Sequence, residues 1–120
     1  DGRACMGSIS DPCLEQPNHG STMGIVTCVN AETDAWDKLL NADYKSLLAL
    51  LDDTAQEGVR QAQRAWIAAR DADCRVPYDI YQGGTLANID MANCMLDRTA
   101  TRVLQLSAWR DMARPEESAR

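Results

Sequence analysis

A chain of 120 residues with 45% hydrophobic side chains can bury one domain-sized core and is too apolar to be disordered. Twelve basic against eighteen acidic residues leave a net charge of −6. That excludes partners that reward clustered Lys and Arg, such as nucleic acid or an anionic membrane surface, and no apolar run approaches the ~18 residues of a transmembrane span.

Residues 1–20 hold Gly2, Gly7, Pro12, Pro17 and an Asn18-His19-Gly20 turn, and read as an irregular arm pinned by cysteines. Ser21 or Thr22 then offers a helix N-cap. Apolar side chains follow at Met23, Val26, Val29, Trp36, Leu39, Leu40, Tyr44, Leu47, Leu48 and Leu51. These three- and four-residue steps predict one long amphipathic helix.

Asp52-Asp53-Thr54 interrupts it. Asp53 or Thr54 can cap a second helix, with Glu57 placed for a capping box. Val59, Ala62, Gln63, Trp66, Ile67, Ala69 and Arg70 mark its course, and Arg75-Val76-Pro77 is expected to end it. Tyr78 to Gly84 reads as a loop. Thr85 is expected to cap a third helix with Leu86, Ile89, Ala92, Leu96, Ala100, Val103, Leu106 and Trp109 inward, before a polar tail over 113–120. No period-two alternation occurs. The expectation is a single all-α domain over 1–120, with an irregular arm over 1–20. Residues 21–112 would form a three-helix up-down-up bundle in which the first two helices are antiparallel neighbours.

The acidity is uneven. Residues 32–57 carry seven acids, Glu32, Asp34, Asp37, Asp43, Asp52, Asp53 and Glu57, against Lys38 and Lys45, a balance of −5. Glu32, Asp34, Asp37 and Asp43 are therefore a candidate face for a cationic partner, set against the plainer reading of a solvated helix face.

Three segments carry a family likeness. Leu40-Asn41-Ala42-Asp43-Tyr44, the run from Gln63 to Cys74 (QRAWIAARDADC), and Cys94 with Thr99, Arg102 and Leu106 resemble, in this order, motifs of the secreted bacterial family named after the lysozyme inhibitor LprI. The resemblance covers residues 13–106. It implies a small helical, disulfide-bonded domain of the envelope or the medium, and it implies lysozyme inhibition through the namesake. The motif residues Asn41, Tyr44, Gln63, Trp66, Arg70 and Asp71 read first as architecture, with Trp66 in the core. Gln63 and Arg70 would then hydrogen-bond to Asn41 or a neighbouring aspartate. The functional reading makes Arg70 and Asp71 contact residues.

Five cysteines, Cys5, Cys13, Cys28, Cys74 and Cys94, contain no CxxC pair and read as a disulfide framework in an oxidising compartment. An exported chain that opens on Asp1-Gly2-Arg3 is expected to be the mature form, cut after its leader. The up-down-up path brings Cys28, Cys74 and Cys94 to one pole, where the arm also begins. Cys74–Cys94 flanks the second helix connection and is the first expected bridge. Cys13–Cys28 is the second, because the stretch from Pro12 to Ser21 has few apolar residues to dock by burial, and the resemblance points the same way. Cys5 is left as a free thiol or a route to a dimer.

Nothing reads as catalytic. The only histidine, His19, lies in the arm with no serine or cysteine expected beside it in a rigid pair. No cofactor is expected, and no metal, since oxidised cysteines cannot ligate one. The sequence thus reads as a secreted or periplasmic protein-binding module rather than an enzyme, with a cationic lysozyme as candidate partner. The alternative is a structural or accessory envelope protein that binds another protein or a cell-wall component.

Overall fold

A computed structural model describes residues 2–17 and 19–114. A 3-10 turn, Gly2–Cys5, and a five-residue helix α1, Ser10–Leu14, precede three long helices: α2, Thr22–Ala49; α3, Asp53–Tyr81; and α4, Thr85–Ala113. No strand occurs among the described residues. The fold is all-α, with two short helical elements where an irregular arm was expected. The expected polar tail over 113–120 begins within α4, which ends at Ala113, and lies mostly on 115–120, outside the described residues.

Local chemistry explains most boundaries. The Ser21 hydroxyl accepts from the Gly24 N–H at 3.1 Å and starts α2. Asp52, rather than Asp53 or Thr54, caps α3 by accepting from the Ala55 N–H at 2.8 Å. With the cap at Asp52, Glu57 lies too far along for a capping box and instead meets Arg60 and Arg64. Gln56 reaches back to donate to the Leu51 carbonyl and, at 2.7 Å, to the Leu48 carbonyl, which also accepts from the Leu51 N–H.

Helix α3 does not stop at Pro77. It runs through it to Tyr81. Proline removes one helix hydrogen bond, but Asp73, whose carbonyl loses its donor, is exposed and can turn to water. Termination waits for Gln82, which takes the left-handed conformation (φ 55°), and Gly83, whose N–H closes on the Tyr78 carbonyl at 2.9 Å. The expected seven-residue loop is therefore three residues, 82–84. Gly84 stands at the N-cap of α4, so Thr85 is the first helical residue and not the cap.

Helix α4 is the spine. It packs on both α2 and α3, which meet each other far less closely than adjacent members of a bundle would. The result is a slab of 51 × 30 × 17 Å. Small side chains on α4, Ala87, Ala92, Thr99 and Ala100, let its neighbours approach, and Leu96, Val103 and Leu106 fill the space against Val29, Trp36, Leu40 and Leu47 of α2. Some expected core positions fall elsewhere: Ala87 is buried and Leu86 is exposed, because Leu86 sits a residue off this stripe; Met23 projects from the open end of α2. Leu39 and Ile67 are also exposed. Helix α3 buries only Gln63 and Cys74 fully, while Val59 and Trp66 are half-buried against the core.

Candidate functional site

The arm is built on a buried carboxylate. Glu32, 1% exposed, accepts from the backbone N–H groups of Gly7 at 2.8 Å, Ile9 at 2.9 Å and Ser10 at 2.9 Å. The Ser10 hydroxyl and the Trp36 indole N–H complete the shell at 3.3 and 3.1 Å. Helix α1 has no side-chain cap of its own, and Glu32 of α2 supplies one to its first amides. Burial pushes the Glu32 carboxyl up, but the donors from Ser10, Gly7, Ile9 and Trp36 outweigh it and leave it below its ordinary value. Glu32 therefore leaves the candidate acidic face. Asp43 is also engaged, half-buried against Arg110 at 2.6 Å. Asp34 and Asp37 remain exposed, without an ion pair among the described residues.

All the motif residues but Asp71, which lines a hollow near Cys74, converge on a groove of about 300 Å³ between α2 and α3, lined among others by Asp37, Asn41, Tyr44, Gln63, Trp66 and Arg70. Arg70 stacks on Trp66 at 4.8 Å and pairs with its neighbour Asp71 at 3.0 Å. Gln63 does not meet Asn41. It accepts from Arg102 Nε at 3.0 Å, and that guanidinium lies 5.4 Å from the Trp66 ring and 4.9 Å from the Trp109 ring. Burial lowers the Arg102 pKa, yet among the described residues no carboxylate pairs with it; two aromatic faces and one amide hold the charge. The motif thus has a structural half, Gln63–Arg102–Trp66 with Tyr44 packed on the core and Arg70 largely covered, and an accessible half, Asn41 and Asp71.

A second cleft lies at the cysteine-rich pole. One hollow of about 580 Å³ is lined by Met23, Val26, Met91 and Met95, and another of about 430 Å³ by Cys74, Tyr78 and the same two methionines. Tyr78 stands exposed on its wall, and Val76, Ile80, Tyr81 and Leu86 are exposed elsewhere on the end of α3 and the start of α4. The reading of 78–84 as a loop concealed this surface; the apolar residues after Pro77 were its one sequence signal.

Disulfides join Cys13 to Cys28, with Cα atoms 5.6 Å apart, and Cys74 to Cys94, at 5.4 Å. Cys5 is a free, exposed thiol. The arm does not begin at the stapled pole: a Cβ at Gly2 would collide with Leu104, well along α4, and the chain climbs from there to Cys13. His19, expected to stand alone, lies against the Cys13–Cys28 bridge.

These features define a small, disulfide-stapled helical domain with open clefts and no assembled catalytic group among the described residues. Residues 13–106 match the family of the lysozyme inhibitor LprI, and the chain belongs to that family. It is 27% identical over 99 residues to an uncharacterised protein of Rhizobium meliloti (strain 1021), covering 72% of this chain and 71% of that one. Its fold is similar to the crystal structure of an uncharacterised protein from Burkholderia thailandensis, with a TM-score of 0.77 and 23% identity. The match takes in 93% of this chain, which spans 56% of the Burkholderia one.

Proposed function

We propose that this chain is a protein-binding module of the bacterial envelope or medium that inhibits lysozyme. The family match across residues 13–106 carries the reading. Two disulfides in a small domain suit an oxidising compartment, and among the described residues no helix is long and apolar enough to cross a membrane. Lysozymes as a class are cationic, so the net charge of −6 favours their approach. Asp34 and Asp37, exposed on α2 with Asp37 at the rim of the motif groove, are the two of the four candidate acids that stay free to meet a basic surface. The test is clearance of a cell-wall suspension by lysozyme with and without the purified chain, at low and physiological salt. Dose-dependent protection supports the reading, and full lytic activity at large molar excess in both salts removes it.

The Met-lined cleft supports a second reading, an accessory envelope protein that binds another protein through apolar contact. Such a partner would be recovered from envelope extracts by salt-insensitive capture, and substitution of Met91 and Met95 by Ser would abolish it.

A further inference from the structure

The sulfurs of Cys13 and Cys28 and a ring nitrogen of His19 lie within 4.8 Å of one another. The Nδ1 atom of His19 is buried and has no hydrogen-bond partner. A buried imidazole nitrogen without a partner is costly, and its company here is two ligating side chains. Its position is not accidental to the backbone. Gly24 lies one turn of α2 before Cys28, and a Cβ there would come within 2.7 Å of the His19 Cα and 2.9 Å of its carbonyl carbon. Only glycine lets residue 19 press against α2 so closely, and that approach sets the imidazole beside the bridge.

We propose that, with the bridge opened, Cys13, Cys28 and His19 form a three-ligand site for a zinc-like divalent cation. As the disulfide, neither sulfur can ligate. A dithiol reductant transfers two electrons and two protons to the bridge, leaving two cysteine thiols and a cyclic disulfide of the reductant. The metal then displaces both thiol protons, so two thiolates and a neutral imidazole balance its two charges. Tetrahedral Zn–S bonds of about 2.3 Å put the sulfurs roughly 3.8 Å apart. With Cα atoms at 5.6 Å, side-chain rotation opens that spacing without moving α1 from α2. Two sulfurs and one nitrogen favour zinc over magnesium or calcium, and the fourth position stays open to water.

The experiment uses the full chain with Cys5→Ser, Cys74→Ser and Cys94→Ser, so that Cys13 and Cys28 supply the only thiols when the bridge is opened. Cobalt(II) is titrated into oxidised and reduced protein, with thiolate charge-transfer and tetrahedral ligand-field bands as readout and circular dichroism following the helices. The oxidised chain is expected to give neither band. The reduced chain is expected to take up one equivalent, and His19→Ala in the same background to weaken binding by at least tenfold, as a lost ligand costs no less than a lost supporting residue. Gly24→Ala should weaken it as well. Equal cobalt affinity with and without His19 overturns the proposal, since the sulfurs alone would then account for binding. A reduced chain that binds no stoichiometric cobalt, or that loses its helices and regains none with zinc, overturns it too.

Discussion

Ser10 gives Glu32 Oε1 both its backbone N–H, at 2.9 Å, and its hydroxyl, at 3.3 Å, across 22 residues of sequence. Together with the amides of Gly7 and Ile9, this fastens the arm by polar contact, with Met6 as an apolar anchor on the core. Glu32→Ala should leave three backbone donors and an indole N–H without an acceptor. At about 1–3 kcal/mol for each buried donor stranded, partly relieved by water, a loss of roughly 3–5 kcal/mol follows. Urea unfolding measures it, and amide exchange should show Gly7, Ile9 and Ser10 losing protection first.

The same carboxylate sets an acid limit. Its pKa is lowered in the fold, so its contribution is present above the unfolded value, 4.5, and is lost as pH falls through the lower folded value. Protection of the Gly7, Ile9 and Ser10 amides should therefore fall below pH 4.5. In Glu32→Gln, protection should be weaker and independent of pH over that range; an unchanged acid transition would assign it to another group.

Arg102 tests the structural half of the motif. Arg102→Met keeps the aliphatic stem but removes the charge between Trp66 and Trp109 and strands the Gln63 oxygen. A loss of about 1–3 kcal/mol is expected, with a shift in tryptophan emission. Arg102→Lys should recover little of it, because an ammonium cannot lie flat against two rings.

The Cys74–Cys94 bridge closes 20 residues, which the chain-entropy account values at roughly 3 kcal/mol. Replacing both by Ser should lower the urea midpoint accordingly while leaving the exchange protection of Ser10 relative to the rest of the chain unchanged. Collapse of the arm at the same time would show that the two ends of the stapled pole are coupled.

If lysozyme meets the acidic side of α2, Asp34→Asn with Asp37→Asn should weaken inhibition severalfold at low salt. The difference should shrink at physiological ionic strength, since exposed charges act mainly on encounter and are screened. An effect indifferent to salt would point away from steering.

The long helices were legible because core packing repeats every one or two helical turns, as in the four- and seven-residue steps of Val29, Trp36, Leu40 and Leu47. The arm's helix was not, because the group that caps it stands 22 residues later and answers backbone amides, which leave no residue pattern. Pro77 misled for a related reason: whether proline ends a helix depends on whether the freed carbonyl is wet, a property of packing. At the candidate site, the family motif named the residues of the groove. It could not show that Gln63 would turn to Arg102, because α2 and α3, consecutive in sequence, are held apart by a third helix that comes last.

That order has a consequence for synthesis. The apolar stripes of α2 and α3 have almost no partner but α4, and isolated amphipathic helices are marginal in water. Until residues 85–113 leave the ribosome, the preceding long helices lack the surface they pack on. Cys13 and Cys28, both in the first quarter of the chain, can meet before that moment, whereas Cys74 must wait for its partner on α4. The chain order thus lets the arm be tied down first and the slab close only at the end.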